Sequence, residues 1–203
     1  MSVARAGLRA AAVSLLAALL AAGAPAQTAP PEVVQTMCQA CHGLDGNAPV
    51  SAFPQLAGQR PEYLQKQLED FLAKRRVNDA MAPALEALNK GDIPAVAAYY
   101  AAQKPKPAGS SNERLLAEGK ALYDDGNTAT GVPACVGCHL AGGVGNERYP
   151  RLAGQFPEYA VAQMKAFKSG ARSNDKGKVM RAVAARLSEQ EMAAVAEYLA
   201  AQP

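Results

Sequence analysis

All four cysteines and both histidines of this 203-residue chain fall in two pentapeptides, CQACH at 38–42 and CVGCH at 135–139. That concentration decides what the chain is able to fold around. No cysteine remains for a disulfide, and no histidine for a catalytic base. One helical turn of C-x-x-C-H places two thiols and an imidazole along one edge of a porphyrin, which is the attachment pattern of c-type haem. Cys38, Cys41, Cys135 and Cys138 are therefore expected to join haem vinyl groups as thioethers, with His42 and His139 each on one axial face of an iron. Zinc would need four donors gathered at one point, and a redox C-x-x-C pair needs no following His. The expected cofactor is haem c, covalently attached, two per chain.

The rest of the chain is doubled too. FPQLAGQRPEYLQKQLEDF from Phe53 returns as YPRLAGQFPEYAVAQMKAF from Tyr149, and IPAVAAYYAAQ ending at Gln103 returns as MAAVAEYLAAQ ending at Gln202. The haem motifs are 97 residues apart, the later blocks 96 and 99. Between the copies runs KPKPAGSSN, whose Pro, Gly and Ser predict an exposed linker over 104–112. The predicted organisation is a signal peptide at 1–26, a first haem domain at 27–103, the linker, and a second haem domain at 113–203. A domain of this size builds only a modest core, and a covalent haem supplies much of the missing apolar volume.

The leader reading rests on Arg5 and Arg9, an Ala/Leu run over 10–22, and Ala24 and Ala26 at the positions a signal peptidase reads. Cleavage is predicted before Gln27, and the periplasm is the predicted location, since covalent haem attachment takes place beyond the bacterial inner membrane. The run is shorter than the ~20 residues of a comfortable span; left uncleaved it would be an anchor, and peripheral membrane association goes with that alternative. Removing it takes two of the 21 Lys and Arg and none of the 18 Asp and Glu, leaving +1 before the haem propionates are counted. The pI near 8.7 thus belongs to the precursor and points to no nucleic-acid partner.

Both copies read as helical, and no segment sustains a strand alternation, so the expected fold class is all-α. A helix is expected to lead into each haem motif, from Pro31 to about Ala40 and from Glu113 to about Tyr123, with Asn112 as N-cap of the latter. A second helix starts at Pro61 or Pro157, where proline fits the first turn. The closing helix of the second copy opens with a capping box of Ser188 and Glu191; in the first copy Asn89 and Asp92 take those places, with Asp92 before Pro94 as a competing N-cap.

The far face of each iron follows by elimination. A second imidazole would need a third His, and no Cys is spare, which leaves Met, the usual soft partner of His in electron-transfer haem. Met1 belongs to the leader and Met37 adjoins Cys38 on the attachment side. Met164 and Met192 align with Leu68 and Ile93 of the first copy, which marks them as core positions. Only Met81 and Met180 correspond to each other, 39 and 41 residues after His42 and His139, each followed by Leu seven residues on. They are the expected axial ligands; the competing reading is a pair of ordinary core methionines.

The tandem pattern CxxCH, FPxLAGQxxEY, Met, AAYYAAQ resembles the di-haem cytochromes of the c4 type over essentially the whole mature chain. The resemblance implies two tandem cytochrome c domains, each a small helical domain wrapped around a covalent haem, with propionates near the domain interface. It implies a non-enzymatic electron carrier of a respiratory chain, fed by a cytochrome bc complex or another donor and delivering to a haem-copper terminal oxidase. It also places Pro54 and Pro150 beside the haem, with their carbonyls accepting a hydrogen bond from the His ring. The short helix before the first motif departs from the family and implies looser outer packing there. The alternative is a haem-bearing subunit of a periplasmic dehydrogenase, sulfide or thiosulfate oxidising, which would show a stable partner and a large apolar docking patch. Lys74, Arg75 and Arg76 read either as a patch for an acidic partner or as a helix-terminal cluster. Tyr63 and Tyr159 read as interface, propionate or core residues, and Arg151 in place of Gln55 makes the two haem environments electrostatically unequal.

Overall fold

The computed structural model describes residues 29–203 apart from Ser111. The leader and its cleavage before Gln27 lie outside the described residues. Helical backbone runs over 32–42, with a wide π-helical stretch Val34–Cys38 ahead of α1 (Gln39–His42). Then follow α2 (Pro61–Leu72), α3 (Ala82–Ala87) and α4 (Ile93–Ala101) in the first half, and α5 (Glu113–Asp125), α6 (Val136–His139), α7 (Pro157–Ser169), α8 (Val179–Arg186) and α9 (Glu189–Ala200) in the second. No strand occurs among the described residues; the sole β element there is an isolated bridge between Asn127 and Val132. The fold is all-α, as the patterning predicts.

Local chemistry accounts for the helix starts. Pro61 and Pro157 occupy first turns, where a missing N–H costs nothing. The Asn112 side chain accepts from Leu115 N–H at 3.1 Å, and Ser188 and Glu191 cap α9 reciprocally. Between the competing caps of the first copy, Asp92 turns back: its Oδ2 accepts from Asn89 N–H at 3.0 Å instead of capping α4.

The helix before the second motif runs Glu113–Asp125, close to its expected end at about Tyr123, and a loop then separates it from Cys135. Gly126, at φ 74°, ends the helix, and the Asn127 side chain accepts from Ala129 and Thr130 N–H at 3.1 and 3.3 Å, folding the loop onto its own backbone.

Two separate apolar cores result, one per repeat. The first gathers Val33, Val34, Leu64, Ile93, Val96 and Tyr100; the second gathers Leu122, Tyr123, Leu187, Met192, Val195 and Leu199. The short opening helix of the first domain buries Val33 and Val34 in that core. In the second, α5 crosses α9 in backbone contact at Gly119: a Cβ there would lie 1.9 Å from the Ala194 carbonyl oxygen. The linker is extended and tied to both domains, with Lys106 N–H donating to Asn47 Oδ1 at 2.7 Å and Gly109 N–H to the Ala200 carbonyl at 2.9 Å.

Candidate functional sites and the interface between them

Each C-x-x-C-H forms a single helical turn, and both histidines are buried at 6 % exposure. His42 Nδ1 stands 3.0 Å from the Pro54 carbonyl and His139 Nδ1 3.1 Å from that of Pro150. A carbonyl only accepts, so Nδ1 carries the proton and Nε2 is left with a free lone pair. Burial lowers both imidazole pKa values, against a smaller upward pull from the carbonyl, and keeps the rings neutral. Phe53 and Tyr149 stand edge-on to the two rings, at centroid distances of 6.3 and 5.8 Å.

The turn after each histidine is fixed from behind. Gly43 and Leu140 follow the histidines with φ of 75° and 63°. The left-handed backbone is cheap for glycine and strained for leucine. Tyr100 on α4 donates to the Gly43 carbonyl at 3.3 Å, and Tyr123 on α5 to that of Leu140 at 2.6 Å. The two domains thus pin the same loop from different helices.

All four cysteines are half-buried, and none pairs with another in a disulfide. Among the described residues no cluster of three or more His, Cys, Asp or Glu gathers to bind a metal ion. The donor set therefore fits a porphyrin held at its edge, not a zinc site. Met81 closes a short turn, Asp79–Met81, and Met180 lies in the first turn of α8. Met37, Met164 and Met192 pack into the two apolar clusters; Met81 and Met180, both half-buried, belong to neither.

Sequence reading missed how the halves meet. Gln155 Nε2 donates to the Gln55 carbonyl at 3.1 Å while its Oε1 accepts from Gln55 N–H at 3.0 Å. Gln59 does the same to Arg151, at 2.8 Å for both bonds. Each amide mimics a backbone peptide, and the pairing is reciprocal between repeats. The doubled LAGQ blocks were the available signal. Beside them Arg76 and Arg172 cross over. Arg76 donates to Tyr159 Oη at 3.1 Å and Gln163 Oε1 at 3.0 Å, and Arg172 to Tyr63 Oη at 2.9 Å and Gln67 Oε1 at 3.0 Å. The tyrosines are thus interface residues. The basic run is not a free patch: Arg76 is spent across the interface and Arg75 pairs with Asp70 at 2.7 Å.

Asp70 itself is buried, with its side chain 5 % exposed, and accepts from Lys66, Arg75 and, across the interface, Asn174. Burial alone would raise its pKa, but these donors outweigh that and hold it below the usual 3.8. Its contribution to stability is therefore present above the ordinary carboxylate range and lost as pH falls through the lowered value. Asp70→Asn should be less stable than the parent at neutral pH and flatten the acid limb of a thermal-melt series; an unchanged acid limb would remove Asp70 from the account.

Comparison with known proteins agrees with this geometry. The family described as "Cytochrome c" matches residues 116–202, and "Cytochrome C oxidase, cbb3-type, subunit III" matches 25–99. Cytochrome c4 of Thiocapsa roseopersicina is 47 % identical over 166 residues, 80 % of this chain and 85 % of that protein. The thiosulfate dehydrogenase electron acceptor of Thiomonas intermedia (strain K12) is 42 % identical over 197 residues, 95 % of this chain and 90 % of that protein. Among solved structures, reduced recombinant cytochrome c4 from Pseudomonas stutzeri superimposes with a TM-score of 0.80 at 37 % identity, covering 86 % of this chain and all of that one. With paired haem turns, two helical domains and these relatives, the chain belongs to the cytochrome c4 family of di-haem electron-transfer proteins and carries two covalently bound haem c groups.

Proposed function

We propose that this chain is a periplasmic electron carrier of a respiratory chain, in which His42 with Met81 and His139 with Met180 hold the two irons. The observation that carries this reading is the position of the two methionines, equivalent between repeats and outside both apolar cores. Haem c supplies a one-electron ferric/ferrous couple, and thioether ligation favours the ferrous state. The chain does the rest. Cys38, Cys41, Cys135 and Cys138 fix each ring covalently. The Pro54 and Pro150 carbonyls hold the imidazoles in one orientation and raise their donor strength. Irons held by His42 with Met81 and by His139 with Met180 would leave no position for a substrate, which supports electron transfer without enzymatic turnover. Candidate partners are redox proteins, a cytochrome bc complex as donor and a haem-copper terminal oxidase as acceptor.

A second donor is favoured by one specific observation, the likeness over 95 % of the chain to a protein named as a thiosulfate dehydrogenase electron acceptor. In that reading a thiosulfate-oxidising enzyme reduces this chain. The charged leader supports export; among the described residues no helix is long and apolar enough to cross a membrane. The test is the oxidised visible and near-infrared spectrum calibrated against haem content. The expected result is a sulfur-to-iron charge-transfer band equivalent to both haems; a band worth one haem or none sinks the double His/Met assignment. Stopped-flow reduction by a quinol-oxidising bc complex against thiosulfate dehydrogenase then separates the two donors.

A further inference from the structure

Arg76 and Arg172 meet at the domain interface, and among the described residues neither makes a salt bridge to a carboxylate; Asp175, whose charge also acts on Arg172, is itself paired with Arg181 at 2.7 Å. Arg76 donates to Gln67, Tyr159 and Gln163; Arg172 donates to Gln163, Tyr63, Gln67 and Asn174. Every acceptor is neutral. Both guanidiniums share the same two amide oxygens, Gln67 Oε1 and Gln163 Oε1, at 2.7 to 3.0 Å, so two like charges are held together in a partly dehydrated seam. Each is stacked on its own domain's aromatic ring, Phe71 at 4.7 Å and Phe167 at 4.5 Å. The carboxylate in hydrogen-bonded continuity with them, Asp70, is already paired with Lys66 and Arg75. Arg60, farther along the seam, likewise donates to backbone carbonyls, those of Val144 and Gly145. The field is positive enough to act on Tyr63. Dehydration alone would raise its phenol, yet the charges of Arg172, Arg76 and Lys66 bring it below its ordinary value.

Both arginines also stand at the root of the segment that leads to the proposed methionine ligand, five residues before Met81 and eight before Met180. We infer that Arg76 and Arg172 form one cationic centre shared by the two haem sites, so that each haem's reduction potential is set partly by an arginine of the opposite domain. A fixed positive charge disfavours the ferric state, which carries one more positive charge than the ferrous. In a seam with little water that effect is screened weakly by salt. This rests on the two-haem carrier reading, and the parent's haem content and charge-transfer band test that reading separately.

The experiment is spectroelectrochemical titration of the holoprotein and of Arg172→Gln, Arg172→Lys and Arg76→Gln. Arg172→Gln is expected to shift both midpoint potentials downward, including that of the haem in the other domain, while Arg172→Lys, which keeps the charge and loses the fork, leaves both near the parent values. Arg76→Gln repeats the double shift from the other side and stands in if Arg172→Gln yields no holoprotein. A shift confined to the haem of the mutated domain, no shift, or equal effects of Lys and Gln would overturn the shared centre, the last by showing that packing and not charge is at work.

Discussion

Met180→Ala should cut the charge-transfer band to half of its parent intensity and lower the potential of one haem, with Met81→Ala doing the same for the other. The argument is chemical. A soft thioether stabilises ferrous iron; alanine leaves the iron to water or hydroxide, which are hard donors that favour the ferric state. A core methionine behaves differently. Its truncation costs about 2 to 5 kcal/mol through lost contacts and a cavity and leaves the band untouched while the domain stays folded. The half-buried setting of both residues, outside the apolar clusters, predicts the spectroscopic effect without the full packing cost. A band of parental intensity in folded Met180→Ala would falsify the assignment of that ligand.

Gly119→Val should destabilise the second domain by about 3 kcal/mol or more. The α5–α9 crossing has no room: beside the Ala194 carbonyl oxygen at 1.9 Å, a new Cβ would meet the carbonyl carbon at 2.5 Å and Tyr198 Cβ at 2.9 Å. Two of these neighbours are helix backbone, which cannot turn aside, so the helices must part and uncover Leu122, Tyr123 and Val195. Because haem is covalent, unfolding does not release it; the expected signature is a Soret band kept while the second domain's share of the charge-transfer band and of the helical signal melts earlier. Gly91→Ala, where an added Cβ meets nothing within 4 Å, is the control and should be nearly neutral. Equal melting of the two variants would mean that the helices separate at little cost.

What the sequence made legible was local. Two thiols and an imidazole within five residues name their ligand without any tertiary information, and Pro61, Asn112 and Ser188 announce helix starts because capping is settled within one turn. Met192 could be placed in the core because its repeat partner is Ile93, and it is fully buried. The loop before Cys135 went unread, although Gly126 and Asn127 carried its turn chemistry, since the shorter first copy offers no counterpart. The interface was harder still. Which face of one copy meets the other depends on how two folded surfaces fit, and Arg76 beside Arg75 looks like a solvated cluster until its partners 83 and 87 residues away are known. The signal that the sequence does carry is a Gln and an Arg nine residues apart in both copies, at Gln67 and Arg76 and at Gln163 and Arg172.

The linker bears on how the protein behaves when it is scarce. A reciprocal interface of this kind is the sort that joins two separate molecules about a two-fold axis, and such a pair falls apart on dilution. Here the second half is delivered by the same polypeptide, at an effective concentration on the order of millimolar even for a short flexible tether. This tether is also held along its path, at Asn47 on one side and Ala200 on the other. The pairing of the two halves is therefore independent of how dilute the protein is, the same in a single isolated molecule as in a crowded compartment.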